Sequence, residues 1–553
     1  MTTLPEGRSL NDFTMGFDEL GPDLHAEARS VAGRTRQAQD AFEVAVILAT
    51  LGYSDQRARE LGCRDVFELA EKVTSLLPLY GGPVDEPPVG TVDQAPDPSP
   101  GPDRMSLGLL ARSLLYSAPW IIAVLALLIA RVSFWSTITP QMFSTTVSLA
   151  LFAALIVTGG FMQAFARRGL FYSLQHSETL LRWALRWTLG AGLAALLVVI
   201  GGGYLILEYG LQAYTPAANR SFLFFGLSIG VLLLAFSPLY LARALREVVI
   251  AASAGGLVSI VGGLWIIDGN YINLFTAQWV QFGALWTAVV VAVLFDVPVL
   301  RRLAAPPVEV DDDKGVDDRQ VLSPRLGPVA RSVRPYWAYG TGFFVLLVID
   351  QLVAGGLWMG TFNYNGLYQV GVGTGLLVLV PTLTYAIAAG YLLPATVRRE
   401  MRRHRISGSE GINRVMLAFY RRHLVMTVLV GVLSGALLLV ATDWLATVSL
   451  LTVHLQLAKD VYTGSLVGYL LLGIGAFNTG QLFSLGRARL SAAVVWAAAA
   501  VSLAIGLVLS YGWDDILGPV TGLVTGSAVF AIATTVATYR MFRRFDLSYF
   551  RAF

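Results

Sequence analysis

One cysteine in 553 residues, Cys63, excludes an intrachain disulfide and any cysteine-rich metal or cluster site. The five histidines, His25, His176, His404, His423 and His454, are scattered, and none sits in an HExxH or comparable ligand spacing. Lysine is nearly missing, with only Lys72, Lys314 and Lys459 among the cations. Charged residues make up only 14% of the chain and the net charge is +3, too small to imply a nucleic-acid partner. No GxxxxGK[ST] loop is present, which argues against a conventional ATP site and a primary pump. The N-terminal MTTLPEGRSLNDF has neither a basic start nor an apolar run, so no signal peptide is expected and this end should stay in the cytosol. A membrane glycosyltransferase would be expected to carry acidic residues in its first outer loop, and RVSFWSTITPQMF has none. With no catalytic constellation either, the expectation is a protein that is not an enzyme and needs no cofactor.

What the chain has in abundance is apolar sequence. Hydrophobic residues make up 55% and the mean hydropathy is +0.61. That leaves too little polar surface for a soluble globular protein of this size, and marks an integral membrane protein. A helix needs roughly 20 residues to cross a hydrocarbon core of about 30 Å, so about a dozen spans fit. The runs fall at Ser113–Val132, Ser144–Phe165, Leu185–Leu207, Ser221–Leu241, Glu247–Ile267 and Trp279–Pro298, and then at Tyr336–Trp358, Tyr368–Leu393, Leu424–Ala441, Val461–Phe483, Leu490–Ser510 and Leu517–Tyr539. The fold class expected is all-α and polytopic, with twelve transmembrane helices in two six-helix bundles, 105–300 and 335–553, joined by a cytosolic loop at 301–334. Trp444–Leu457, short and carrying Thr447, Thr452 and His454 as a polar stripe, reads as an interfacial helix.

Residues 1–77 differ from everything after them. They are charged, mixed in sign and lack a long apolar run. Ala41–Leu51, Asp55–Leu61 and Asp65–Leu76 carry apolar residues at helical spacing, with Gly52 and Gly62 as stops, which predicts a cytosolic three-helix module. The Pro-rich acidic stretch 78–104 predicts an extended tether.

Arginines set the orientation, because cations in short loops are retained on the cytoplasmic side. Arg167, Arg168, Arg182 and Arg186 lie between spans two and three, Arg243 and Arg246 between four and five, and Arg398 to Arg422 supply eight more between eight and nine. Arg487, Arg489 and Arg540, Arg543, Arg544 continue the series, whereas the opposite loops hold only Arg131, Arg220 and Lys459. Both termini are therefore expected in the cytosol. Six spans per half make any internal repeat parallel, about an axis along the membrane normal. Arg246 to Ser259 and Arg489 to Ser502 match at the start of the fifth span of each half, as do Gly283 to Arg301 and Gly522 to Arg540 across the sixth.

Polar residues inside apolar helices are costly to bury and are functional candidates by default. Asp350, in FFVLLVIDQLVAGG, is the clearest, about 21 Å from the start of its span at 1.5 Å per residue. Gln351 beside it, Gln163 in span two, and Asn478 and Gln481 in span ten complete the candidate pathway, although a single interhelical hydrogen bond would also account for each amide. Pro119, Pro238 and Pro381 interrupt spans one, four and eight and allow bends. Gly371-Val-Gly373-Thr-Gly375 lies in an apolar span and reads as a helix-packing surface rather than a phosphate loop. Asp350 has no Lys or Arg within one helical turn and is expected to face the cavity between the bundles.

Three phrases carry a resemblance: SLLYSAPWIIAVLALLI with Ala118, Pro119 and Trp120, LREVVIAASAGGLVSIVGGL, and PYWAYGTGFFVLLVIDQL with Asp350. Residues 105–553 resemble the Pel-type exopolysaccharide exporters, a branch of the multidrug/oligosaccharidyl-lipid/polysaccharide (MOP) flippase superfamily. The chain departs from that pattern in having Gln351 where the family usually has Lys, in lacking an aromatic–Asp pair near QLFSLGRARL, and in its additional first 104 residues. The resemblance implies two bundles facing a central cavity that opens alternately to either side of a bacterial cytoplasmic membrane. It also implies a polysaccharide or lipid-linked saccharide as cargo, with cytosolic glycosyltransferase or other synthesis proteins as partners. A major-facilitator transporter, which also has 6+6 helices, is the alternative, but its GxxxDRxGRR loop is absent from ARRGLFYSLQHSETLLRW. A membrane scaffold for synthesis enzymes is a third reading.

Overall fold

The computed structural model describes residues 44, 45, 48, 55–64, 66–80, 105–130, 140–174, 178–269, 274–304, 326–356, 362–403, 409–448, 455–513 and 517–545. Most of the expected first module helix, the tether from residue 81 onward, the acidic run between the halves, His25, His176, His404 and His454 lie outside them. The chain divides into two compact units, Met1–Ser99 and Pro100–Phe553.

In the first unit, Asp55–Glu60 and Val66–Tyr80 are helical. Gly62, at φ 73°, takes the left-handed conformation that ends the first of these, where Cys63 N–H reaches back to the Ala58 carbonyl at 2.9 Å. The second runs past the expected end at Leu76 and takes in Pro78, because the apolar stripe Leu69, Val73, Leu76 packs on Val44, Leu48 and Ala58. The Arg64 backbone N–H, 2.7 Å from Glu68 Oε2, and then Lys72, 3.1 Å away, hold the Glu68 carboxyl below its ordinary value. A group lowered in this way contributes stability above its unfolded value, and that contribution is lost as the pH falls through the lowered one. A fragment of residues 1–80 should therefore be soluble and helical by circular dichroism at neutral pH and lose helix on acidification. Its Glu68→Gln variant should show a shallower acid transition, and an unfolded fragment at pH 7 would remove the unit's independence.

In the second unit, twelve helices are long and apolar enough to cross a membrane. They are α1 (Leu107–Leu114 and Ala118–Ala130, joined by a 3-10 turn), α2 (Gln141–Leu174), α3 (Glu178–Ala184 and Gly190–Leu205, with π turns at Leu185–Leu189 and Ile206–Leu211), α4 (Pro216–Leu241), α5 (Leu245–Asp268) and α6 (Leu274–Ala304). The second half comprises α7 (Leu326–Ala354), α8 (Gly366–Leu376 and Leu379–Arg403), α9 (Ser409–Val448), α10 (Leu455–Ser484), α11 (Ala488–Trp513) and α12 (Leu517–Phe542). Val198, Leu294, Leu437 and Val440 point outward with about 70% of their surface exposed, as expected where lipid supplies the cover.

The helices overrun the apolar stretches at both ends, which corrects three sequence boundaries, two at the arginine-rich end and one at the opposite end. Helix α6 extends to Ala304 and α7 starts at Leu326, so the connecting loop is shorter than 301–334. The basic stretch expected as a loop between spans eight and nine is largely the ends of α8 and α9. Trp444–Val448 continues α9 and Leu455–Leu457 opens α10, so no separate interfacial helix lies among the described residues. The physical reason is common to all three. Hydropathy locates the hydrocarbon slab, whereas backbone hydrogen bonding continues the helix beyond it, and at the arginine-rich end long Arg side chains reach to water.

The parallel duplication is explicit in the packing. In the first half α1 packs on α5, α2 on α3 and α4, α3 on α4, α4 on α6 and α5 on α6. The second half repeats each pairing six helices later. The turn that ends α4 recurs at the end of α10. Ala244 N–H bonds Leu239 and Arg487 N–H bonds Leu482, each at 2.9 Å, around a left-handed Arg243 (φ 56°) in one half and Gly486 (φ 69°) in the other.

Candidate functional site

The halves meet along two lines related by that repeat, α2 against α7 and α1 against α8, and the lines differ in extent. Helices α2 and α7 lie together from end to end. At mid-seam Gly160 packs on Thr341 and Trp337, and Gly159 opposes Gly340 so closely that a Cβ on Gly340 would run into the Gly159 carbonyl oxygen and lie 2.8 Å from the Gln163 side chain. At the arginine-rich end Arg168 donates to Ser332. At the other end the segment after α7 is tied to the first half. Gln141 Nε2 donates to the Tyr364 carbonyl at 2.7 Å, Tyr364 N–H donates to Thr145 Oγ1 at 2.9 Å, and Tyr214 donates to the Phe362 carbonyl. The second line joins the inner segment of α1 to α8, while the outer segment of α1 packs on α5 of its own half. There Tyr116 bonds Tyr391, Tyr240 donates to the Tyr116 carbonyl at 3.1 Å, and the Arg243 guanidinium lies 4.9 Å from the Tyr391 ring. A non-glycine residue at φ 56° is strained, and this cation–π contact across the halves helps hold it.

Asp350 does not lie on either line. Trp337, Gly340, Thr341 and Phe344 form the face of α7 toward α2, whereas Tyr339, Phe343, Leu346 and Asp350 follow one another at helical spacing on the face packed into the second half. The expectation that Asp350 faces the cavity between the bundles is thereby corrected, since the helix turns it into the core among α8 and α10. Its side chain is 2% exposed. Tyr368 Oη, 2.8 Å away, donates to Oδ2, while Oδ1 is buried with no hydrogen-bond partner. Gln351 and the Tyr469 hydroxyl lie beside it. Tyr368 is placed by its own helix start, because Asn365 caps α8 by accepting from Tyr368 N–H at 3.1 Å. The result is a carboxylate beside hydroxyl and amide groups with, among the described residues, no cation against it.

The other sequence candidates are distributed. Asn478 lies nine residues beyond Tyr469 along α10, about 14 Å away, and belongs to a separate network. It accepts from Tyr420 and donates to Thr535 Oγ1, both at 2.8 Å. Gln481 is buried in the same helix, and its Oε1 has no partner. Gln163 is half-buried at the glycine seam. Pro119 follows the 3-10 turn of α1, Pro381 follows the break at Leu377–Val378 in α8, and Pro238 stands three residues from the end of α4. Of the glycine run, Gly371 and Gly375 pack on Ser465 and Gly373 faces open space. Sequence reasoning missed Tyr368, Tyr469, Tyr420 and the buried Tyr385–His423 pair, 2.8 Å apart. Their signal was a phenol or imidazole inside an apolar span, which is the same signal that singled out the amides.

No protein-family model matches the chain, and no curated protein matches its sequence. Its structure does have neighbours. A MOP-superfamily transporter from Pyrococcus furiosus superposes with a TM-score of 0.56 at 13% identity, over 78% of this chain and 95% of that one. A multidrug resistance MATE transporter in its outward-facing conformation gives 0.55 at 12% identity, over 79% and 96%. The MATE transporter ClbM in complex with Rb+ gives 0.53 at 12% identity, over 80% and 97%. The chain has the MATE/MOP transporter fold. Identities this low establish the architecture and leave the cargo to other arguments.

Proposed function

We propose that this protein is a secondary transporter or flippase that moves an exopolysaccharide or lipid-linked saccharide across a bacterial cytoplasmic membrane, with Asp350 binding the coupling proton or cation. The observation that supports it is the pairing of the MOP fold with a buried carboxylate that has one oxygen bonded and one free. An ion in so dry a place costs about 2.5–3.5 kcal/mol on insertion scales, so Asp350 holds a proton or a cation in one state and releases it only when the helices packed around it rearrange. The saccharide is inferred from the resemblance of residues 105–553 to the Pel-type exporters, and cytosolic synthesis enzymes are the partners that cargo requires. The test is genetic. Deleting the gene should abolish surface polysaccharide while cytosolic polymer is still made. Loss of synthesis itself would favour the scaffold reading, and unchanged surface polymer would overturn both.

The arginine-rich end faces the cytosol in this reading. Reporters fused after Ser407 and after Phe553 should both be active only as cytoplasmic reporters, and a periplasmic signal at either position would invert or break the twelve-span topology.

A further inference from the structure

At the arginine-rich end, the α2–α7 seam opens into a groove of about 750 Å³. Five guanidinium groups line it: Arg167 and Arg168 from the first half, and Arg331, Arg487 and Arg489 from the second. Among the described residues no carboxylate lines it. Arg167 lies over the Tyr336 ring at 5.3 Å, and Arg168 lies over Phe171 and Tyr172 while donating to Ser332. These contacts orient the two side chains and neutralise neither. Arg168 Nε is shielded from water and, among the described residues, donates to no acceptor. The tight turn at Gly486 also brings the positive N-terminal end of the 26-residue α11 to the same wall. Five like charges packed around one opening repel one another, and an orphaned buried donor costs free energy, so the groove is complete only with an anion in it.

We propose that this groove binds a ligand carrying two or more phosphate groups, held by Arg167 and Arg168 on one half and by Arg487 and Arg489 on the other. Guanidinium forks match phosphate oxygens in pairs, and one phosphate cannot satisfy five of them. Because the contacts come from both halves, the bound ligand clamps the arginine-rich end of the seam and favours the arrangement seen here. The inference does not depend on what is transported. The same chemistry is available from a doubly phosphorylated lipid headgroup or from a soluble diphosphate.

The experiment compares purified full-length protein in detergent, titrated with inorganic pyrophosphate, with the same protein in phosphatidylcholine nanodiscs with and without diphosphatidylglycerol. The readouts are thermal unfolding and native mass spectrometry. Pyrophosphate or diphosphatidylglycerol should raise the unfolding temperature, less so at higher salt. Arg167→Gln with Arg487→Gln should weaken binding by about tenfold or more. Arg167→Lys with Arg487→Lys keeps the charge and should recover only part of the affinity, which separates fork recognition from bulk charge and from misfolding. Arg543→Gln with Arg544→Gln, outside the groove at the same end, should leave binding unchanged. A shift with pyrophosphate alone identifies a soluble ligand, and a shift with diphosphatidylglycerol alone identifies a lipid. No shift with either probe, or equal losses in the groove and control variants, would overturn the proposal.

Discussion

Asp350→Asn is expected to leave the protein abundant and inserted while reducing saccharide export by on the order of tenfold or more, the worth of one charge-assisted interaction. Asparagine is nearly isosteric and still offers an oxygen to Tyr368, which now donates to Oδ2 at 2.8 Å, so the packing among α7, α8 and α10 has no reason to change. What disappears is the capacity to gain and lose a positive charge at a site that is 2% exposed. Asp350→Leu provides the contrast. It leaves the Tyr368 hydroxyl buried without an acceptor, costs about 1–3 kcal/mol, and should lower the amount of folded protein. Tyr368→Phe should fall between the two, weakening the carboxylate's environment without removing its charge. The measurement is surface polysaccharide per unit of membrane-inserted protein in cells carrying each variant. Wild-type export from Asp350→Asn would take the residue out of the mechanism, and loss of the protein itself would assign Asp350 a structural role.

Gly340→Val should be the most damaging single change at the seam between the halves. A Cβ at this position meets the Gly159 carbonyl oxygen, which is backbone on a helix packed along its whole length and cannot swing aside as a side chain does. Overpacking of this kind costs about 1–3 kcal/mol where neighbours can shift, and here the neighbour is fixed. The expected result is a lower unfolding temperature in detergent and loss of export, because α2 and α7 must separate or slide to accommodate the branch. Gly373→Ala is the control. Nothing lies within 4 Å of a Cβ there, and α8 should gain slightly in helix propensity. Equal unfolding temperatures for Gly340→Val and the unaltered protein would mean that the two halves are not held by this contact.

The sequence located the apolar slab but not the helix ends. Span nine reads as Leu424–Ala441 from hydropathy, yet α9 continues through Ser409–Val448, because the basic residues Arg414, Arg421 and Arg422 sit on helical turns outside the slab. The small residues of the α11–α12 contact were visible as a weak repeat, and the structure shows their purpose: a Cβ on Gly522 would stand 2.5 Å from the Ser502 carbonyl oxygen. Asp350 was legible as a candidate because one acid in an apolar run is conspicuous. Its partners were not, since Tyr368 and Tyr469 reach it from two other helices.

Composition and periodicity alone determined that this chain crosses a membrane about twelve times with its arginines at one end, and made any repeat between its halves a parallel one. Those are properties of local sequence against a solvent of fixed thickness. Which face of α7 turns toward the partner half, which tyrosine meets Asp350, and which five arginines share one groove were decided only by tertiary packing. They depend on the rotation of one helix against another, and that rotation is set by close backbone approach at Gly159 and Gly340 and by side chains more than a hundred residues apart in the chain.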